Sequence, residues 1–348
     1  MTAPPSTAYL EEDVEVAGPS QTFRTYRDQM RLTKGKLMQA AIYRTQGSPD
    51  VVEVIEVDKP EPGLAEIRIK VQAAALNPTD ASAWRGGFFP APPQGSFYGL
   101  GWDIAGVVDA VGPGTPWQPG QPVIALSYGL PLGLNRAQAE YVVVPSNVIA
   151  AAPEGVDPVH AATIPLNGLT AAHSVELLGL RPGQSVLVTG AEGAVGGYAV
   201  QLAKRRGLVV IASDRSPDGQ FATDVAGADA FVPASHSPVD ALRAVRPEGV
   251  DAVLDTASLG QALIGAVSDG GTFVTTRLDA LPQTERNIRV RLTQVGGDAA
   301  TLTTLSDLAA SGELALRVAQ TYPLQEAAKA YARLAAGGLR GRIVLTMN

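Results

Sequence analysis

The residues best placed to do chemistry in this chain are glycines. Gly190-Ala191-Glu192-Gly193-Ala194-Val195-Gly196 follows the apolar run Ser185-Val186-Leu187-Val188-Thr189 and opens directly into an alanine-rich stretch. Glycine at the first, fourth and seventh places lets a backbone turn sharply and come close to a pyrophosphate. A helix starting behind such a turn adds unpaired N–H groups and the positive end of its dipole. The same spacing also arises in purely structural strand–helix turns. Here strand, loop, helix and a second strand over 208–212 stand in the order that dinucleotide binding requires. Asp214 stands just after that second strand, where a carboxylate bonds the adenine-ribose hydroxyls and favours NAD. Arg215 comes next and would pair with a 2′-phosphate, favouring NADP. The sequence leaves that contest open, along with the plainer reading in which Asp214 caps the turn into Ser216-Pro217.

Other chemistries are excluded more sharply. The 348 residues include no cysteine, which removes disulfides, thiolate zinc sites, iron–sulfur clusters and cysteine nucleophiles together. The three histidines, His160, His173 and His236, have no partners at metal-ligand spacing. A net charge of −7 argues against a nucleic-acid backbone as partner. The basic run Lys204-Arg205-Arg206 falls at a helix end, where cations suit the dipole. Small molecules are the expected partners. No apolar stretch approaches the roughly 18–20 residues of a spanning helix. Residues 1–36 are rich in Pro, Ser, Thr and charge and lack the apolar core of a secretory signal. They read as a flexible extension, and the chain as cytoplasmic, with no membrane partner.

The elements that must position the loop fall into two kinds. From Met38, short β-rich runs separated by Gly and Pro turns predict strands near 40–43, 51–57, 66–71, 104–110, 123–126 and 141–144, a partly closed and mostly antiparallel β domain. Near residue 157 the pattern changes to strands alternating with helices, the sign of a parallel sheet covered by helices. Strands are predicted at 185–189, 208–212, 230–232, 250–254 and 272–275. Helices are predicted at 194–206 and around 218–226, 238–245 and 259–267. A helix near 301–311, a strand near 315–319, a helix at 324–336 and a closing strand at 342–345 complete the chain.

Four further segments carry a family resemblance: Ala75-Leu76-Asn77-Pro78-Thr79-Asp80, Gly101-Trp102-Asp103-Ile104-Ala105-Gly106-Val107-Val108, Pro165-Leu166-Asn167-Gly168-Leu169-Thr170-Ala171 and Gly341-Arg342-Ile343-Val344-Leu345. With the glycine loop, their order and spacing resemble the zinc-independent quinone oxidoreductase (zeta-crystallin-like) branch of the medium-chain dehydrogenase/reductase superfamily, from about Met38 to the carboxyl terminus. The resemblance implies an α/β fold: a GroES-like partly closed β domain (37–158 plus 312–348) with an inserted Rossmann domain, a doubly wound parallel sheet (159–311). It also implies a homodimer formed through the edge of the cofactor-domain sheet. The implied cofactor is NADP(H), with NAD(H) kept open by Asp214. Asn77 and Trp102 stand where the superfamily's alcohol dehydrogenases hold zinc, and neither is a strong zinc ligand. No zinc is therefore expected, and alcohol oxidation would lack its Lewis acid. The implied reaction is hydride transfer to a quinone or small α,β-unsaturated carbonyl.

The same resemblance suggests roles for single residues. Asn77 would lie beside the nicotinamide and donate from its amide to the carbonyl oxygen that gains charge; read alone, it is equally a turn residue before Pro78. Thr170 would lie close to the cofactor or start a helix with its hydroxyl. Gly190, Gly193, Ala194, Val195 and Gly196 would hold the cofactor, with Asp214, Arg215 and Thr256, the last at a strand's carboxyl end. Trp84 and Phe88 occupy places where relatives tend to carry Arg and Tyr. They would form a flat substrate-pocket wall or, equally, an aromatic turn over the core. Tyr98 and Tyr128, expected on loops near the cleft, are the candidate replacements for the missing proton donor.

Two rival readings remain. An enoyl-thioester or polyketide enoyl reductase would need a cationic patch, for which Arg277, Arg286, Arg289 and Arg291 are scattered candidates. A non-catalytic dinucleotide-binding protein would keep the loop without turnover. Gly193→Asp is expected to abolish dinucleotide binding in a fluorescence titration with NADH and NADPH; unchanged affinity defeats the loop assignment.

Overall fold

Three sheets organise the computed structural model, which describes residues 37–87, 90–128, 136–215, 219–234 and 237–347. In the smallest, β1 (Leu37–Tyr43) runs antiparallel between β2 (Val52–Asp58) and β4 (Tyr98–Gly99). The largest antiparallel sheet is built around β3 (Glu66–Ala75), which pairs with β5 (Asp103–Val111) and β7 (Tyr141–Pro145). β6 (Pro122–Leu126) and β8 (Ile149–Ala151) extend it beyond β5. β3 and β5 approach unusually closely at Gly106, where a Cβ would sit 2.2 Å from the Lys70 carbonyl oxygen. The pair also shifts register between Val71 and Ala73, a local bulge that turns the strand.

The parallel sheet has the order β11-β10-β9-β12-β13-β14: Ala230–Pro233, Val209–Asp214, Ser185–Thr189, Val250–Asp255, Val267–Thr275 and Arg289–Leu292. All five pairings are parallel. β9 is buried along its whole length, as a central strand covered on both faces must be. The chain leaves β9 in one direction for β10 and β11 and returns on its other side as β12. That reversal creates the crevice beyond the carboxyl ends of β9 and β12 where such sheets bind ligands.

The last two strands return to the antiparallel sheet. β16 (Arg342–Thr346) lies antiparallel to β3, and β15 (Val318–Pro323) parallel to β16. From Leu37 onward the chain forms one compact unit, so the two kinds of sheet enclose a shared interface.

Two helices needed by the site lie outside the elements read from sequence. α1 (Pro78–Trp84) starts where a turn was the plain reading. Asn77 is its N-cap, Pro78 holds the first position with its fixed φ, and Asp80 accepts from the Asn77 N–H at 2.8 Å. α2 (Pro165–Leu177) also opens on proline. Its Asn167-Gly168 pair weakens the helical signal, but Gly168 has a packing reason: after α3 (Ala194–Arg205) the chain returns as α4 (Ala299–Ala310), and a Cβ on Gly168 would lie 3.0 Å from Leu305 Cδ1 of α4. The helix expected around 218–226 is a single π-turn, Phe221–Val225, and that around 259–267 is the 3-10 segment Gly260–Ala266. The strand expected near 315–319 begins at Val318 and runs to Pro323. Among the described residues no helix is long and apolar enough to cross a membrane. Residues 1–36, Phe88 and His236 lie outside the described residues.

Candidate active site

The glycine loop leaves β9 at the switch point and enters α3. Gly190 takes φ +61°, a left-handed conformation that favours glycine. The Gly193 N–H donates back to the Gly190 carbonyl at 2.9 Å, closing the turn. A Cβ on Gly196 would lie 2.1 Å from that same carbonyl oxygen, so only glycine lets the first turn of α3 pack against the loop. Ala194 and Val195 begin the helix, and their N–H groups, like all those of a first turn, have no intrahelical acceptor. The neighbouring strand end is braced tightly. Thr256 Oγ1 donates to the Thr189 carbonyl at 2.6 Å, and Thr189 Oγ1 donates to Asp255 Oδ1 at 2.7 Å. Asp255 in turn accepts from the Gly260 N–H at 2.8 Å. Thr256 thus supports Gly190, whose Cβ, if present, would stand 2.8 Å from its hydroxyl. Asp214, half-buried at the end of β10, accepts from the Glu192 N–H at 3.0 Å. Arg215 follows it on the exposed surface. The backbone fits a dinucleotide: a cramped, side-chain-free turn, a helix amino terminus, and an acid at the next strand's end.

Behind the loop lies a buried polar knot. Asp103, fully buried at the start of β5, accepts from the Leu166 N–H of α2 at 2.6 Å through Oδ1. Its Oδ2 accepts from Asn77 Nδ2 at 2.7 Å and from Arg342 Nη2 at 3.0 Å. Arg342 Nη2 also donates to Asn77 Oδ1 and to the Leu76 carbonyl, each at 2.8 Å. Asn167 lies against both Asn77 and Arg342. Asp80, one turn into α1, is held by the Asn77 and Gly101 N–H groups. Burial pushes its carboxyl up to about 7, against the pull of those bonds and of the Arg136 charge. Asn77, expected to donate to a substrate carbonyl, is 1% exposed and its Nδ2 donates to Asp103 Oδ2.

The same knot tests the site against zinc. Asn77 and Trp102 offer no thiolate or imidazole, and the Asn77 and Asp103 oxygens already face a guanidinium. Among the described residues no three His, Cys, Asp or Glu side chains gather as a metal would require. The donor set does not fit the metal.

Other expected site residues separate widely. Thr170 donates its hydroxyl to the Leu166 carbonyl of its own helix at 2.6 Å, inside α2 rather than at its start. Trp84 is fully buried, edge-on to Tyr331 with centroids 6.0 Å apart, and so packs in the core. Tyr98, expected on a loop, lies in β4. Its pairing with Tyr43 across β4 and β1 turns the ring into the same apolar cluster, and it is 5% exposed. Tyr128 does reach solvent, at 59% exposure, with its ring 6.3 Å from Trp102. Trp102 carries the Arg136 guanidinium over its ring at 4.1 Å. Three of the four arginines named for a thioester patch are already paired: Arg277 with Asp279, Arg286 with Asp269 and Glu285, and Arg289 with Thr272. Sequence reasoning missed Arg342, although it stands in the closing segment that carries the resemblance. It also missed Arg317, which donates to the glycine loop's Glu192 carbonyl at 2.9 Å and has no local sequence signal.

Comparison with known proteins places this geometry among relatives. Residues 226–345 match the family described as zinc-binding dehydrogenase, and residues 63–154 match the alcohol dehydrogenase GroES-like domain. A quinone oxidoreductase of Pseudomonas aeruginosa is 31% identical, over 89% of this chain and 99% of its own. A chloroplastic NADPH-dependent alkenal/one oxidoreductase of Arabidopsis thaliana is 30% identical, over 69% of this chain and 62% of its own. The crystal structure of an NAD-dependent alcohol dehydrogenase, 31% identical, superposes with a TM-score of 0.80 over 89% of this chain and 100% of its own.

Removing one partner of a buried ion pair strands the other charge away from water. Arg342→Met is expected to cost about 3–5 kcal/mol in urea unfolding, and adding Asp103→Asn to recover part of that loss. A double variant no more stable than Arg342→Met contradicts this account of the knot.

Proposed function

The chain belongs to the medium-chain dehydrogenase/reductase superfamily, and from that premise we propose that it passes hydride from a reduced nicotinamide dinucleotide to a quinone or a small α,β-unsaturated carbonyl. The observation that carries the reading is the pairing of two features. A glycine loop shaped for a dinucleotide stands at the sheet's switch point, and the polar knot behind it holds Arg342 in place of a metal donor set. Without a Lewis acid to polarise a carbinol, oxidation of simple alcohols loses its main assistance, whereas a conjugated acceptor is already activated. The names of the Pseudomonas aeruginosa and Arabidopsis thaliana relatives point to the same acceptor class.

The bound cofactor supplies the hydride. The chain's own residues bind and orient it. Gly190, Gly193 and Gly196 keep the turn free of side chains, and Ala194 and Val195 present helix N–H groups to phosphate oxygens. Asn77, held by Asp103 and Arg342, fixes the junction of β3 with α1 and so the wall of the cleft. Tyr128 is the tyrosine exposed to solvent and the candidate for proton delivery to the reduced acceptor, with water as the alternative. NADP(H) remains the favoured cofactor by resemblance. Asp214 keeps NAD(H) open, because its carboxylate stands at the ribose end of the loop.

A homodimer is part of the same reading. β14 is the last strand of the parallel sheet, and Leu259, Leu278 and Leu281, on the segments that follow β12 and β13, are 41%, 70% and 39% exposed. An edge strand and exposed leucines are each a motive for association. Leu278→Asp is expected to shift the protein from dimer to monomer in light scattering, and a wild-type monomer would remove this part of the proposal.

The first test of the reaction is fluorescence titration with NADPH and NADH, followed by oxidation of the tighter binder with benzoquinone-type and enone acceptors. Binding with turnover supports the reductase. Binding without turnover on any such acceptor moves the function to a carrier-bound thioester or to a non-catalytic role. Preference for NADH assigns the choice to Asp214.

A further inference from the structure

Beside the glycine loop, two guanidinium groups from the carboxy-terminal strands meet a buried carboxylate. Glu192, the third residue of the loop, is 4% exposed. Its Oε1 accepts from the Phe221 N–H at 3.1 Å, and its carbonyl accepts from Arg317 Nη1 at 2.9 Å. Its other carboxylate oxygen is buried without a hydrogen bond and lies 3.7 Å from Arg340 Nε. The Arg317 guanidinium stacks on the Phe221 ring, 3.8 Å from its centroid. Burial, together with the Arg340 charge, holds Arg317 below the ordinary guanidinium range, while Glu192 and Asp214 pull the other way.

Two features of this cluster point to an anionic ligand, and a third is the charge such a ligand must compete with. Arg317 lines a cavity with Gly193, Ala194 and Gly197, beside the amino-terminal turn of α3. Among the described residues, its one hydrogen bond is that of Nη1 to the Glu192 carbonyl, which leaves most of a five-donor fork unused. The Glu192 oxygen nearest Arg340 is a buried anionic acceptor with no donor of its own, a costly arrangement unless a larger charge pattern explains it. A guanidinium with most of its donors unused, lining a cavity at a helix amino terminus with a second guanidinium close by, suits an anion, and Glu192 is the anion already placed beside the pair.

We infer that Arg317, with Arg340 beside it, contacts a phosphate of the bound dinucleotide, and that Glu192 is the internal anion competing with that phosphate for the guanidinium pair. The inference rests on the dinucleotide reading above and adds to it a contact from the far end of the chain. Arg317 immediately precedes β15, so the antiparallel sheet supplies a cation to a ligand seated on the parallel one. Binding then joins the two sheets, and the competing carboxylate sets how tightly. The phosphate is either the diphosphate bridge or the 2′-phosphate, and the ligands below separate them.

The experiment is calorimetric titration of wild type, Arg317→Ala, Arg317→Lys, Arg340→Ala and Glu192→Gln with NADPH, NADH, ADP-ribose, 2′,5′-ADP and adenosine. Loss of a charge-assisted contact weakens binding about ten- to a hundred-fold. Arg317→Ala is expected to show that loss with phosphate-bearing ligands and to leave adenosine unchanged, with Arg317→Lys retaining part of the affinity. Equal loss for NADH, ADP-ribose and NADPH places the contact on the diphosphate; loss confined to NADPH and 2′,5′-ADP places it on the 2′-phosphate. Glu192→Gln keeps an acceptor for Phe221 and removes the competing charge, so it is expected to tighten the same ligands several-fold. Affinities within two-fold of wild type in both Arg317→Ala and Arg340→Ala overturn the inference, as does adenosine weakened as much as the phosphates. Wild type that binds neither NADH nor NADPH defeats the dinucleotide reading itself, a result distinguishable from the first.

Discussion

The contact between Asp103 and Arg342 is the constraint on which the rest of the structure depends. It joins the start of β5 to the start of β16, two strands on opposite sides of β3, and both residues are nearly inaccessible. An ion pair so placed must recover the cost of leaving water through additional hydrogen bonds. It does so by recruiting Asn77, the Leu76 carbonyl and the Leu166 N–H. Each recruit fixes another element: Asn77 and Leu76 the passage from β3 into α1, Leu166 the first turn of α2. The knot therefore sets the angle at which the antiparallel sheet meets the helices of the parallel one.

Against this rigid knot, the glycine loop is held by close packing rather than charge. Gly190, Gly193 and Gly196 leave room for backbone to touch backbone, and the Thr189–Asp255 and Thr256–Thr189 bonds tie the ends of β9 and β12. These bonds use up the polar groups at the strand ends. What stays open is the row of N–H groups at the start of α3, which is the chemistry an anionic ligand needs.

The parts of this arrangement legible in the sequence were those with local causes. β9 and the helix after the loop were predicted nearly residue for residue, because an apolar run, a glycine turn and an alanine-rich stretch are each written in consecutive positions. α1 was not read as a helix: in Asn77-Pro78-Thr79-Asp80 proline after asparagine signals a turn as readily as a helix start. Trp84 and Tyr98 show the other limit. An aromatic near a cleft and an aromatic in a core have the same sequence; only the β1–β4 register and the position of Tyr331 decide between them. Arg317 and Arg342 could not be found by spacing at all, since their partners lie 125 and 239 residues away.

The two arginines also divide the chemistry of this site. Arg342 is sealed into the protein, its charge spent on Asp103 and Asn77. Arg317 stands at the edge of the cleft with its guanidinium only partly engaged. A buried cation whose donors are all met within the protein fixes geometry. A guanidinium at the cleft edge with most of its donors unused is left free to meet a ligand. The fold thus spends one arginine on holding its elements together and leaves the other facing the cleft.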